Sequence, residues 1–170
     1  MTEEITKQLT QQLVQSLFDY KDGALYWKVS KTNSIRVGNQ AGTSVNDAGY
    51  NIVGICGKTY RLHRVIFLYH YGYLPKNVDH IDGNRSNNNI DNLRSADDFQ
   101  NSRNSKLSKR NISGVKGVCW ARHVNKWQVQ VRRGSSKKYL GLYEDLELAE
   151  LVAIEARNLY HKEYANHGKY

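Results

Sequence analysis

Apolar residues recur every four positions at Ile5, Leu9, Leu13 and Leu17 in a polar background without proline or glycine, which predicts an amphipathic helix over 3–18. From Asp19 to Tyr60 the pattern breaks into short runs, ALYWKV, YNIVGI and KTYRL. These are punctuated by Asp22-Gly23, Gly38, Gly42, Gly49, Gly54 and Gly57, so a meander of short antiparallel strands is expected. Residues 62–71, LHRVIFLYHY, return to helical spacing and stop at Gly72. Val78 to Ile81 then reads as a short strand end and Asp82-Gly83-Asn84 as a tight turn. Ser95 to Ser105 reads as a helix, with Ser95 as its N-cap and Asp97 and Asp98 in its first turn.

Ser105 to Gly114, SKLSKRNISG, is polar, basic and poor in apolar residues, as an interdomain linker would be. Beyond it lie three strand-like runs, VKGVCWA, KWQVQVRR and KKYLGLY. The middle run alternates Trp127, Val129 and Val131 with Lys126, Gln128, Gln130 and Arg132, the mark of a half-buried antiparallel sheet. Asp145 to Tyr164 carries Leu148, Leu151, Val152, Ile154, Ala156, Leu159 and Tyr160 behind an acidic first turn, so one long amphipathic helix covers that sheet. The expected class is α+β in two small domains: a helix at 1–18, a first domain at 19–104, a linker at 105–113 and a sheet-plus-helix domain at 114–170.

Charge sharpens this division. Residues 1–60 carry six Lys/Arg against five Asp/Glu and residues 61–100 five against five, whereas no acid occurs from Phe99 to Tyr143. Within 101–140 stand eleven bases: Arg103, Lys106, Lys109, Arg110, Lys116, Arg122, Lys126, Arg132, Arg133, Lys137 and Lys138. Nucleic-acid phosphate is the natural counter-charge for such a window, and the net charge of +9 agrees. The two cysteines, Cys56 and Cys119, form no Cys-x-x-Cys pair, which excludes a zinc ribbon and a disulfide framework and fits a reducing cytoplasm. The opening MTEEITKQL lacks the features of a signal peptide, and no run approaches the ~20 apolar residues of a membrane span, so no membrane partner is expected.

Candidate chemistry lies in DHIDGNRSNNNIDNLRSADDFQN, residues 79–101. Phosphodiester cleavage needs a base for water and a cation to neutralise charge at phosphorus and the departing oxygen. Asp79 and Asn101 are hard oxygen donors, for which Mg²⁺ is the expected ion and Mn²⁺ its substitute; zinc is disfavoured without sulfur ligands. On a strand end Asp79 and His80 point to opposite faces, one toward metal and one toward water. Asn92 is placed to bond the backbone of the His80 segment and so fix that ring. Asn104, one helical turn beyond Asn101, is the alternative oxygen ligand. Arg85 and Arg94 flank the set as phosphate clamps, while His63 and His70 read as core or surface histidines outside the site.

The set Asp79-His80, Asn92, Asn101 resembles the HNH nucleases, in the variant whose last histidine is an asparagine. HRVIFLYHYG, VDHIDGNRSNN and DNLR, in that order, are similar to phage-type HNH homing endonucleases. The resemblance spans residues 19–104. It implies a ββα-metal fold with one divalent ion, His80 as general base, Asp79 and Asn101 as ligands and Asn92 as the brace of the loop. Residues 114–165, with GVKGVCW, KWQVQV and YLGLY, resemble the AP2 DNA-binding domain found in plant transcription factors and joined to phage HNH nucleases. That implies a sheet face carrying Gln128, Gln130 and Arg132 in the major groove, with Lys116, Trp120, Arg122, Lys126 and Lys138 nearby. Basic residues Arg103, Lys106, Lys109 and Arg110 would add phosphate contacts.

These readings converge on a Mg²⁺-dependent, homing-type DNA endonuclease acting in a phage-infected bacterial cytoplasm, with double-stranded DNA as partner. It would leave 5′-phosphate and 3′-hydroxyl ends, and one site per chain favours a nicking monomer. A sequence-specific DNA-binding regulator with an inactive HNH scaffold is the alternative, and a restriction or repair role on the same fold stays open.

Overall fold

The computed structural model describes residues 9–30, 35–105 and 107–168, and the chain divides into two compact units, 1–95 and 96–170. In the first unit a short helix α1 (Gln11–Leu17) is capped by the Thr10 hydroxyl, which accepts the Leu13 N–H at 3.2 Å. The expected helix over 3–18 is thus shorter at both ends, Leu9 and Thr10 preceding it and Phe18 following it, and residues 3–8 lie outside the described ones. Phe18 already begins strand β1 (Phe18–Lys21), because it is fully buried against Trp27 of β2 (Ala24–Trp27), the ring centroids 4.4 Å apart. Asp22 and Gly23 turn this hairpin with φ of 48° and 81°.

Strand β3 (Gln40–Ala41) completes the first three-stranded sheet. A second sheet holds β4 (Ser44–Val45), β5 (Asn51–Ile55) and β6 (Lys58–Arg61), all antiparallel. Helix α2 (Leu62–Tyr71) ends at Gly72 in the left-handed conformation, and buries Leu62, His63, Val65, Ile66, Phe67 and Leu68. These residues join Val14, Phe18, Leu25, Trp27 and Ile55 in one core. Strand β7 (Asn77–His80) pairs with β8 (Leu93–Ala96) in a two-stranded sheet, and an Asn-rich loop and a 3₁₀ turn at Ile90–Asn92 join them.

Helix α3 (Asp98–Arg103) starts later than the sequence suggested. Ser95 remains in β8, and Asp97 makes a reciprocal capping box with Gln100, a stronger start than the lone Ser95 hydroxyl. Expected as the end of the nuclease domain, α3 falls within the second compact unit. There Asn166 Nδ2 donates to both Asn104 O and Asn104 Oδ1 at 3.0 Å. The stretch expected to link two domains is held by side-chain hydrogen bonds from Asn111 and Ser113 to the carbonyls of Val115 and Val118.

The second unit's sheet has β10 (Lys126–Arg133) between β9 (Val118–Ala121) and β11 (Ser136–Tyr143). Helix α4 (Leu146–His161), capped by Asp145, packs Ala149 and Ala153 against Val118 and Val129 in a second, smaller core. It stops three residues before Tyr164, where Lys162 turns to φ 50°. A register shift after Val129 places Gly141 opposite Val129 and Tyr139 opposite Gln130, bulging Leu140. Among the described residues no helix is long and apolar enough to cross a membrane.

Candidate active site

Strand β7 delivers Asp79 and His80 side by side, both buried, at 7 % and 4 % exposure. Successive strand residues face opposite ways, and the two side chains have separate partners. Asp79 Oδ2 accepts from Arg94 Nε at 3.0 Å and from Arg94 Nη2 at 2.9 Å. Arg94, read from sequence as a phosphate clamp, is therefore the counter-ion of Asp79. His80 instead meets Asn88, with Nε2 and Asn88 Oδ1 3.1 Å apart, and the rings of His63 and Tyr50 at centroid distances of 4.8 and 6.2 Å.

The Asn88 contact sets the tautomer. An amide oxygen only accepts, so His80 carries its proton on Nε2 and Nδ1 is the unprotonated ring nitrogen. Asn88 Nδ2 points the other way, toward Asn51 Oδ1 and Ser86 O at 3.4 Å, which fixes the amide orientation. Burial holds the His80 imidazole below its ordinary pKa. The Asn88 bond, Asp82 and Asp79 oppose that fall, and Arg85 adds to it. His80 is thus a neutral base near neutral pH.

The loop from Asp82 to Asn92 is braced by amides. Asn92 Oδ1 accepts the Asp82 N–H at 3.0 Å, and its Nδ2 donates to Asp82 Oδ1 at 2.9 Å and to Asn87 O at 2.8 Å. The Ile81 N–H donates to Asn92 O at 2.9 Å, one residue beyond His80. Asn92 therefore bonds the backbone next to His80, whereas the ring itself is held by Asn88, a residue the sequence reading missed. Burial works to raise the Asp82 carboxyl, but hydrogen bonds from Asn87, the Asn84 N–H and Asn92 outweigh it and hold the group below its usual value.

His63 belongs to this neighbourhood as a core residue. It is 3 % exposed, Nδ1 has no hydrogen-bond partner among the described residues, and its pKa falls to about 3 through burial, then His80, Arg61 and Arg64. Its place was legible only as an early residue on the buried face of α2. Arg85 donates to the Ala48 carbonyl and lies over the Tyr50 ring at 4.7 Å, and Arg61 lies over the same ring at 4.6 Å.

Both Asp82 oxygens accept hydrogen bonds within the loop, and among the described residues no three His, Cys, Asp or Glu side chains cluster to hold a metal. The Asp79 carboxylate is matched by the Arg94 guanidinium. Asn101 and Asn104 are carried by α3 of the second unit. Asn101 is exposed, whereas Asn104 is buried and its Oδ1 accepts from Asn166.

The residues expected to touch DNA divide sharply. Arg122, Arg132, Lys109 and Arg110 are exposed, Gln128 and Gln130 half-buried, and Lys106 lies outside the described residues. Lys126 pairs with Glu144 at 3.1 Å, Lys138 Nζ donates to the Tyr160 hydroxyl at 2.7 Å, and Trp120 packs edge-on to Trp127. Lys116 Nζ is spent on the carbonyls of Arg103 and Ser105, as an ammonium inside the fold must find acceptors.

Residues 60–103 match the HNH endonuclease family. Protein 3.8 of Escherichia phage T7 is 38% identical over 84 residues, which cover 48% of this chain and 67% of that protein. No solved structure matches the chain. The matched segment runs from the end of β6 through His80, the braced loop and α3, so it contains the buried histidine and its carboxylate neighbour. The chain is a homologue of phage T7 protein 3.8 and belongs to its family, and its residues 60–103 form an HNH endonuclease domain.

Proposed function

We propose that the protein is a DNA endonuclease in which His80 Nδ1 accepts a proton from water while the water oxygen bonds to phosphorus. The P–O3′ bond breaks, the 3′-oxygen leaves and is protonated by solvent, and the products are a 5′-phosphate and a 3′-hydroxyl. The observation that carries this reading is the buried, neutral His80, oriented by Asn88 inside an HNH domain. Asp79 and Asn101 would hold Mg²⁺, or Mn²⁺ in its place, to neutralise charge on the phosphate. Asn101 is preferred over Asn104 because the amide oxygen of Asn104 is engaged by Asn166. Asn92 acts as a positioning residue through the Asp82 backbone.

The second unit supplies the grip on double-stranded DNA. Its AP2-like sheet offers Gln128, Gln130 and Arg132 to base edges, and Arg122, Lys109 and Arg110 to phosphates. Homing-type nicking by a monomer in the phage-infected cytoplasm is the biological role that fits one site per chain. Supercoiled DNA incubated with Mg²⁺ or with EDTA tests the reading. Relaxation that needs metal and disappears in His80→Ala is expected, and equal cleavage by the variant would sink it.

One observation favours the regulator reading: Arg94 neutralises Asp79 with two hydrogen bonds, which would leave the carboxylate poorly placed to attract a metal. DNA footprinting by the parent chain, with no cleavage in Mg²⁺ or Mn²⁺, would favour that alternative.

A further inference from the structure

A cavity of about 240 Å³ opens in the second unit between α3, the segment before β9, strand β10 and the end of α4. Arg103, Lys116, Arg132, Arg157 and His161 line it, and among the described residues no carboxylate does. Arg157 and His161 are buried, at 3 % and 5 % exposure. Buried cations are normally matched by an acid. Here they meet neutral carbonyls instead: Arg157 Nη1 donates to Lys116 O, Lys116 Nζ to Arg103 O and Ser105 O, and His161 Nε2 lies 2.7 Å from Arg132 O. Arg157 Nε also donates to His167 Nδ1 at 3.2 Å, again an acceptor that carries no negative charge. His161 Nδ1 has no hydrogen-bond partner among the described residues.

The charges oppose one another. Burial and then Arg157 lower the Lys116 pKa to about 8, and His161 is depressed by burial and by Arg103, Lys116 and Arg157, its bond to Arg132 O acting the other way. Glu150 is the acid whose charge acts on Arg157, and it does not line the cavity. Gly117 brings backbone into the wall: a Cβ there would stand 2.7 Å from the Gln130 carbonyl oxygen, so the lining cannot be filled from that position. A recess walled by three arginines, a lysine and a histidine is a place for an anion, and a tetrahedral one suits several donors converging from different elements.

We propose that this cavity is a phosphate-binding site, filled by a backbone phosphate of bound DNA or by the phosphate of a small free ligand. Only the DNA source rests on the nuclease reading. The test uses the full chain with ¹⁵N-labelled histidine, in EDTA. Inorganic phosphate should shift the His161 ring resonances saturably, chloride at equal ionic strength should not, and exposed His123 should stay still. Arg103→Gln combined with Arg132→Gln should weaken phosphate binding at least tenfold while leaving the folded spectrum intact.

Duplex DNA that moves the His161 resonances in the parent, and after which inorganic phosphate moves them no further, identifies a DNA phosphate as occupant. Saturating DNA that leaves His161 still, while phosphate moves it, identifies a free phosphate ligand. If neither moves it, the proposal is overturned whether or not the chain cleaves DNA. If phosphate moves it but the chain neither binds nor cuts DNA, the nuclease reading fails and the cavity stands.

Discussion

Around Asp82 in the first unit, Asn87, Asn88 and Asn92 meet a carboxylate, an imidazole and backbone groups of opposite hydrogen-bonding sense, whereas around Arg157 in the second unit cations meet carbonyls and one another. The first arrangement is closed. Each amide both donates and accepts, so the network orients His80 without outside help. The second is open, because its donors outnumber the charges that could match them. Self-satisfied polarity suits the placement of a base, and uncompensated polarity suits the capture of a charged ligand.

The largest effect expected from breaking this contrast is at His80. Replacing it with alanine should lower the cleavage rate by about 10²–10⁴-fold, the usual contribution of a general base, with DNA affinity in EDTA unchanged. Asn88→Ala leaves the base but removes its orienting acceptor. A fall of about 10–100-fold in kcat with little change in KM is expected from single-turnover and steady-state assays. A larger loss for Asn92→Ala than for Asn88→Ala would reverse the order of importance assigned to ring and backbone contacts.

Acid sharpens the comparison from the side of stability. His63 is neutral in the fold at a pKa of about 3 and titrates near 6.5 when unfolded, so the unfolded chain binds the proton first as pH falls. Its contribution is level above pH 6.5 and is lost progressively between 6.5 and 3. The expected loss between pH 7 and pH 5 is on the order of 2 kcal/mol. His63→Phe keeps a ring beside Tyr50 and His80 and should flatten this part of the stability profile in urea melts, whereas an unchanged slope would remove His63 as its source.

Two smaller effects are expected in the second unit. Asn166→Ala strands the Asn104 carbonyl and amide oxygen and should cost about 1–3 kcal/mol, read from the denaturant midpoint. Asp97→Ala removes the capping box of α3 at a cost of about 1 kcal/mol.

Much of this architecture was legible because it is local. The Asp22-Gly23 hairpin, the stop of α2 at Gly72, the three strands after Gly114 and the acid-capped α4 each follow from a few neighbouring residues. The contacts that define the sites are not local in the same way. Asn87, Asn88, Asn89 and Asn92 offer the same side chain, and only the path of the loop decides that Asn88 reaches His80. The Asp79–Arg94 pair spans two strands, so a charge count left Arg94 as a free cation. The cationic cavity did leave a signal: Ala149, Ala153, Arg157 and His161 stand four apart on one buried helix face, where two basic residues replace alanine.

The Asp22-Gly23 turn reaches further than its own hairpin. A side chain at Gly23 would come within 3.0 Å of the Asn89 backbone nitrogen, and the Tyr20 hydroxyl accepts the Ile90 N–H at 3.0 Å. The hairpin thus props the 3₁₀ turn that ends in Asn92, yet it lies some forty residues outside the segment that matches the HNH family. A minimal fragment trimmed to residues 60–103 would keep the recognisable motif and lose the buttress that shapes it, so the smallest portable version of this HNH domain begins before Tyr20.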